Sequence, residues 1–207
     1  MAALLPLFPL QAVVFPRTSL PLHIFEPRYK RMVGEAVRDA SEFGIVLARE
    51  QGIVNTGCSV LVEKVLKRYG DGRMDILTRG VRRFEVVYLD QQEDCLRAEV
   101  SFFDDAGEAA PPAALQAEVL TLYKELVEVA GPGDGDPNLE DPQLSFQLAQ
   151  SLTDLDFLMV LLGTRSEEAR LRELQQYLTQ HLPLLRRTMR MRTLAPHNGF
   201  GGKPGGM

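Results

Sequence analysis

The sequence has no tryptophan, only two cysteines and no apolar run long enough to cross a membrane. A membrane-spanning helix needs about 18 consecutive apolar residues, and a secretory signal needs a basic segment before its apolar core. The sequence shows neither pattern, so we expect a cytoplasmic protein that does not bind membranes. Cys58 and Cys95 lack the spacing of metal ligands. In a reducing compartment we expect both to be small buried side chains rather than a disulfide.

An excess of positive charge is also missing. The 23 Lys and Arg residues are outnumbered by 28 Asp and Glu residues, which gives a formal net charge of -5. Proteins that bind the phosphate backbone carry excess cations, so this composition argues against nucleic acid as a partner. With 45% hydrophobic and 25% charged residues over 207 positions, the chain is expected to form one substantial core or two smaller ones.

The residue patterns of common catalytic and metal sites are absent as well. His23, His181 and His197 are far apart in the sequence and form no two-histidine motif. Gly201-Gly202-Lys203 resembles the end of a phosphate-binding loop, but Pro204 stands where that loop needs a hydroxyl, so a flexible tail is the better interpretation. No serine lies in a motif that would place it beside a base. We therefore expect no catalytic residue, no cofactor and no metal, in a protein that is not an enzyme.

The most distinctive feature that is present is a proline-interrupted apolar opening, Leu5 to Pro16 and then Leu20 to Tyr29. Proline withholds a backbone donor, so these segments indicate edge strands or strand ends. From Glu26 to Ala40 the apolar residues recur at helical spacing, which predicts a helix packed on a sheet. A short apolar run predicts a strand over residues 43–49 that is buried on both faces. Alternation and turn residues then predict strands over 58–69, 73–79, 81–89 and 95–103, with a turn region over 52–57, a hairpin at 70–72 and a break at Gly80. The alternation is interrupted near Glu63 and Lys64, which indicates a bulge or an edge.

Helical periodicity replaces strand alternation after a linker over residues 106–112. Apolar residues spaced by three and four predict a helix over 113–130. Capping residues predict three more helices: one from Pro142 to about Gln150, one capped by Ser151 or Thr153 and ending at Gly163, and one capped by Ser166. A basic segment follows from Pro183. The expected organisation is a β domain over 1–105, a helical subdomain over 113–195, and a disordered glycine-rich tail over 196–207.

Three segments resemble the N-terminal domain family of Lon protease, namely the opening over Leu5 to Tyr29, Asn55 to Val62, and Asp71 to Phe84. The second is similar to the family's Gly-Thr-x-Ala strand entry, and the third to its Asp-Gly hairpin and Gly-x-x-Arg segment. The resemblance implies an α+β fold, in which an N-terminal antiparallel β pseudo-barrel of PUA-like topology with one packed helix precedes an all-helical C-terminal subdomain. Full Lon proteases continue into an ATPase module and a Ser-Lys peptidase domain, so a stand-alone member without either is expected.

The resemblance further implies a non-catalytic module that binds unfolded or apolar polypeptide segments, with a protease or ATPase as a further candidate partner. The candidate contact residues are aromatic side chains of the β domain, Phe25, Tyr29, Tyr88, Phe102 and Phe103. Phe102 and Phe103 are neighbours in a predicted strand, so their side chains point to opposite faces. One of them is expected to be exposed unless the helical subdomain or a homodimer partner covers it.

Two other functions remain open from the sequence. An adaptor or oligomerisation module would bind one folded partner through the basic segment Arg186 to Arg192. An RNA-binding module, as some PUA-like folds are, would use a patch of Arg79, Arg82, Arg83 and Arg97. The acidic residues near these arginines favour ordinary cross-strand ion pairs instead.

Overall fold

The computed structural model describes residues 4–90, 94–107, 110–131 and 137–194, without the side chains of residues 190–194. The order of elements is β1 (Leu5–Leu10), β2 (Ser19–Ile24), α1 (Pro27–Asp39), β3 (Phe43–Arg49), β4 (Gly52–Arg68), β5 (Met74–Asp90), β6 (Arg97–Phe103), α2 (Ala113–Ala130), α3 (Leu144–Ala149), α4 (Leu155–Gly163) and α5 (Glu167–Leu194). Strands with one helix are thus followed by four helices, as the sequence predicts. The tail expected over 196–207 lies outside the described residues.

The strands form a sheet that closes on itself through β5. Neighbouring strands follow the order β2-β5-β4-β3-β1-β6, and β6 pairs back onto β5. β5 reaches both partners because residues 74–79 pair with β2 and residues 83–90 pair with β6. Closure of this kind removes unpaired strand edges. The predicted α+β fold with a pseudo-barrel is confirmed, with one difference: β1 and β3 run parallel, so the sheet is mixed rather than wholly antiparallel.

Side chains that alternate along the strands belong to two apolar clusters. Phe84 lies in the smaller cluster, and a Cβ at Gly57 or Gly44 would come within 2.5 or 2.7 Å of its ring. These two glycines therefore give the phenyl ring its space. The larger cluster joins the strands to α1 and to the helices of the second half. From α1 it includes Tyr29, Met32, Val33 and Ala36.

Two of the breaks predicted in the sheet are wrong. Residues 52–57 belong to β4 rather than to a turn, because they pair with β3 and β5. Gly80 lies inside the continuous strand β5 rather than between two strands. A Cβ at Gly80 would lie 2.0 Å from the carbonyl oxygen of Phe15. Gly57 and Gly80 thus allow close approach of neighbouring groups, which is a second reason for glycine within a strand besides a break in it.

The helical half follows the predicted order with three differences. α2 has the predicted bounds. α3 begins at Leu144, after Gln143, rather than at Pro142. α4 is capped by Asp154, whose side chain accepts hydrogen bonds from two backbone amides, and not by Ser151 or Thr153. α5 continues through Pro183 instead of ending before it. Pro183 is exposed, so the carbonyl group that it leaves without a helical donor can bond to water.

The junction between the sheet and the helices is built around the Asp105 carboxylate. Its oxygens accept hydrogen bonds from Arg83 Nη2 at 2.6 Å and from Arg170 Nη1 and Nη2 at 2.6 and 2.7 Å. Burial by itself raises the pKa of Asp105, but the hydrogen bonds and charges of Arg170 and Arg83 outweigh burial and hold the pKa well below its usual range. The carboxylate thus stays charged and joins strand β5 to helix α5.

Both guanidinium groups of this junction are fully enclosed. Arg83 is 1% exposed and also donates to the carbonyl oxygens of Leu162 and Thr164. Arg170 is 0% exposed and donates to Glu167 Oε2 at 2.7 Å and to Ser145 Oγ at 2.9 Å. The assignment of Arg83 to an RNA-binding patch is therefore wrong, because a guanidinium group with buried partners cannot reach a phosphate.

Candidate functional site

The far half of β4 has one unpaired edge. Pairing with β3 ends at Val60, and beyond it residues 61–68 pair with β5 and with no other strand in the described part of the chain. This edge contains no proline, unlike β1 and β2. The register shifts between Val62 and Lys64 and again between Val65 and Lys67. The interrupted alternation predicted a bulge or an edge, and the structure has both here. Charges and bulges of this kind keep an edge from permanent pairing.

An apolar cleft of about 570 Å³ lies beside this edge. One wall is the C-terminal end of α1, with Ala36, Val37 and the C-cap residue Ala40. The other wall is formed by residues 61–65 of β4 together with residues 79–81 of its neighbour β5. The α1 side chains are small, which leaves the space between helix and strand open. Leu61 is half-buried here and belongs to neither apolar cluster of the described residues. We call this space the α1–β4 cleft.

Cations predominate at the rim of the α1–β4 cleft. Arg17, Lys64 and Arg79 line it together with one acidic residue, Glu63. Arg79 is half-exposed, and its Nη1 lies 3.9 Å from Glu63 Oε1, a long ion pair. Lys64 forms no ion pair with any residue that the structure describes. The rim therefore has a local positive charge in a chain whose net charge is negative.

A tight turn places Arg17 at one end of the cleft. The backbone of Arg17 is left-handed, with φ of 61°, which non-glycine residues adopt only in special turns. Its amide donates to the Gly80 carbonyl oxygen, and the Gly80 amide donates to the Thr18 carbonyl oxygen. The Thr18 hydroxyl closes the turn on the Phe15 carbonyl oxygen at 2.9 Å. Because the turn is fixed to β5, the guanidinium group of Arg17 has a defined position, where it binds Asp141 at 2.7 Å.

A second cleft of about 640 Å³ lies between β2 and the segment around α3. Arg17 and Arg79 line this cleft as well as the α1–β4 cleft. Its other polar residues include Asn138, Gln147 and Gln150. We call it the β2–α3 cleft. The two clefts therefore meet at the Arg17 and Arg79 side chains, where the β domain joins the helical half.

Three of the five predicted aromatic contact residues are exposed, and they lie in different places. Phe25 is 58% exposed after β2, with its ring stacked on His23. Tyr88 is also 58% exposed, near the end of β5. Phe102 is 38% exposed on β6, and the Arg82 guanidinium group lies over its ring at 3.7 Å. None of the three lines either cleft.

The other two aromatic candidates are core residues. Tyr29 is 6% exposed, and its ring lies 4.2 Å from that of Phe8. Phe103 is buried at the junction, with the guanidinium group of Arg83 4.8 Å from its ring. The expectation that Phe102 and Phe103 differ in exposure is met. Neither Tyr29 nor Phe103 is accessible to a ligand in this structure, so we remove both from the candidate surface.

Sequence reasoning did not find the two clefts. The only local signal was the interrupted alternation at Glu63 and Lys64, which indicated the free edge. The shape of the two clefts depends on the distance between α1 and β4, and on the turn that places Arg17 where the clefts meet. Both are properties of packing between segments that are distant in sequence.

The potential metal ligands of the described residues do not cluster, and both thiols are buried. The described residues contain no group of three or more His, Cys, Asp or Glu side chains that could hold a metal ion. Burial raises the pKa of the Cys58 thiol to about 12, and burial also raises the pKa of Cys95. Both thiols are free and protonated at neutral pH, as expected of buried cysteines. Among the described helices, none has the length and apolar character to span a membrane.

Comparison with known proteins identifies the fold and the family. The model of the ATP-dependent protease La (LON) substrate-binding domain matches residues 4–180. The crystal structure of a Lon N-terminal domain protein from Xanthomonas campestris is similar, with a TM-score of 0.69 and 25% identity over 84% of this chain and 98% of that chain. The N-terminal domain of a Mycobacterium avium complex Lon protease has a TM-score of 0.60 at 17% identity, covering 86% of this chain and all of that chain.

Two Lon proteases illustrate the extent of the match in sequence. Lon protease 2 of Myxococcus xanthus is 28% identical over 159 residues, 72% of this chain and 18% of its own length. Lon protease of Anaeromyxobacter dehalogenans is 27% identical over 161 residues, 73% of this chain and 18% of its own length. This chain therefore spans less than a fifth of the length of these relatives. It belongs to the family of the Lon substrate-binding domain.

Proposed function

We propose that this chain is a non-catalytic module that binds extended, apolar segments of unfolded polypeptides in the α1–β4 cleft. The observation that carries the proposal is the position of an apolar cleft directly beside the unpaired, proline-free edge of β4. An added peptide strand can form backbone hydrogen bonds with such an edge whatever its sequence, while its side chains select apolar pockets. Membership of a substrate-binding family supports the same assignment.

Hydrolysis of the bound polypeptide would require a partner under this proposal. The relatives are proteases, and this chain corresponds to less than a fifth of their length. We therefore propose a protease or ATPase as the partner to which the bound segment is presented. The two free, buried thiols are compatible with a reducing cytoplasm as the place of action.

The alternative functions have less support from the described residues. Arg186 of the basic segment already binds Glu125 of α2 at 2.8 Å, and the side chains of Arg190 and Arg192 lie outside the description. Of the arginines suggested for RNA, Arg83 is buried and Arg82 binds Glu42. No specific observation favours either function.

A titration tests the proposal directly. Fluorescently labelled α-lactalbumin, reduced and carboxamidomethylated so that it stays unfolded, is titrated with the protein and followed by anisotropy. We expect micromolar binding that changes little with salt, because burial of apolar surface does not depend on ionic screening. Leu61→Glu should weaken binding by about tenfold or more, since a carboxylate would have to be buried in the apolar cleft.

Val160→Glu is the matched control, because Val160 is an exposed apolar residue on α4 outside both clefts. It should leave the affinity unchanged. Labelled single-stranded RNA serves as the second probe and should not bind. Failure of the wild-type protein to bind the unfolded polypeptide at micromolar concentration would refute the proposed function.

A further inference from the structure

We propose that the two clefts form one groove that selects a pattern in the bound segment, in which apolar residues are followed by an acidic side chain. The apolar residues lie in the α1–β4 cleft, and the acidic side chain binds Arg79, where the two clefts meet. The inference rests on the proposed function and specifies its substrate class.

The continuity of the groove follows from shared residues. Arg17 and Arg79 line both clefts, so the two clefts adjoin at these side chains. A chain that leaves the apolar cleft therefore passes these two guanidinium groups before it reaches β2 and α3. A groove that continues in this way suits an internal segment of a long polypeptide. An internal segment has no terminal carboxylate, so the carboxylate that it can present where the clefts meet is that of an Asp or Glu side chain.

The charges where the two clefts meet favour such a carboxylate. Arg17 is already engaged, because its guanidinium group donates to Asp141 at 2.7 Å and to Gln143 at 2.9 Å. Arg79 has only the 3.9 Å contact with Glu63, so most of its five N–H donors have no carboxylate partner among the described residues. Arginine binds carboxylates through two parallel hydrogen bonds when its donors are available.

Beyond the arginines the lining of the groove is mixed. The β2–α3 cleft is lined by apolar residues such as Leu20 and Leu77, by the Asp141 carboxylate, and by amide side chains, of which Gln150 donates a hydrogen bond to Gln147 at 3.3 Å. Amide groups both donate and accept, so they can bind the backbone of an extended chain. The segment that follows the acidic side chain can therefore be held through its backbone.

Three labelled peptides test this inference. All are blocked at both ends and share one apolar run, followed by Asp, Asn or Lys at a single position and then by serines. Binding to the wild-type protein is measured by anisotropy at low and moderate salt. We expect the Asp peptide to bind about fivefold more tightly than the Asn peptide, and the Lys peptide to bind most weakly, which is the scale of a partly exposed ion pair.

Variants assign the preference to the groove. Arg79→Gln should remove the difference between the Asp and Asn peptides, and Arg79→Lys should retain part of it, since Arg79 is half-exposed and both variants should fold. The matched control is Arg172→Gln, which changes an exposed arginine of α5 that lines neither cleft. It should keep the full preference.

The outcomes separate this inference from the proposed function. Equal binding of the Asp and Asn peptides, or an Asp preference that survives in Arg79→Gln, overturns the inference while polypeptide binding stands. Binding of unfolded lactalbumin without binding of any peptide also overturns it. If neither the peptides nor lactalbumin bind, the proposed function fails as well.

Discussion

Two arginines of β5, four residues apart, meet opposite environments. Arg83 is enclosed at the junction, where Asp105 and two backbone carbonyl groups accept its hydrogen bonds. Arg79 is half-exposed at the groove, with one carboxylate 3.9 Å away. A buried charge that has all its partners holds two parts of the molecule together, and a charge with few partners at the edge of a cleft is available to a ligand.

The junction around Asp105 and the groove therefore have different roles, the first in stability and the second in binding. At the junction, polar groups are bonded to one another and shielded from water. At the groove, an apolar surface and a strand edge remain unpaired. Substitutions at the junction should change stability, and substitutions at the groove should change binding.

The largest effect should follow from Arg170→Met. Removal of the guanidinium group leaves Asp105 and Glu167 buried without it, and breaking one side of a buried ion pair costs about 3–5 kcal/mol. Urea unfolding followed by circular dichroism measures this loss. Arg172→Met, which breaks only an exposed pair with Glu168, should change stability by less than about 0.5 kcal/mol. Similar stabilities of the two variants would contradict a structural junction.

A smaller loss should follow from Gly80→Ala. The added methyl group would lie 2.0 Å from the Phe15 carbonyl oxygen, so the turn that carries Arg17 must move, at a cost of about 1–3 kcal/mol. Gly34→Ala is the control, because the space around Gly34 in α1 is open, and it should stabilise the helix by about 0.5–1 kcal/mol. Thermal unfolding of the two variants should therefore shift in opposite directions. A shift in the same direction would mean that Gly80 does not fix the turn.

Acid should weaken the junction through Asp105. The pKa of Asp105 is lower in the folded protein than in the unfolded chain, so its stabilising contribution is complete above the unfolded value of about 3.9. The contribution is lost as the pH falls from about 5 through the folded pKa. Asp105→Asn should make the free energy of unfolding fall less steeply with acid between about pH 5 and 2. The exposed neighbour Asp104 provides the control, and Asp104→Asn should keep the steeper slope of the wild-type protein.

The smallest effect should come from the exposed aromatic residues predicted from the sequence. Tyr88→Ser and Phe102→Ser change residues outside both clefts, so the affinity for unfolded lactalbumin should change by less than about twofold. The same anisotropy titration measures it. A loss of affinity as large as that of Leu61→Glu would place the binding surface on strands β5 and β6. It would contradict the proposed separation between a structural junction and a binding groove.

The elements of the fold were largely predictable, because they depend on local patterns. A short apolar run located β3 and the helical spacing located α2, both with the observed bounds. The errors arose where one residue type has two physical meanings. Gly57 and Gly80 were interpreted as part of a turn and as a break, but in the structure they allow close packing within strands. Gly52, in contrast, has a φ of 133° and open space around it at the start of β4.

The candidate site was less predictable for a related reason. Strand alternation places Phe102 and Phe103 on opposite faces but does not say which of them is exposed. Burial of Tyr29 depends on Phe8, which lies 21 residues earlier. Likewise, nothing local distinguishes Arg79 from Arg83. The first faces a cleft between α1 and β4, and the second faces Asp105 and the end of α4, and both neighbours are set by the tertiary fold.

Amide hydrogen exchange tests the central claim most directly. The protein is exchanged alone and with saturating unfolded lactalbumin, and the protection of each segment is compared. We expect slower exchange at residues 61–65 of β4, where a peptide strand would pair, and at residues 36–40 of α1, which line the same cleft. Protection confined to residues 87–102, or no change in 61–65 despite binding, would contradict the assignment of the α1–β4 cleft as the polypeptide-binding site.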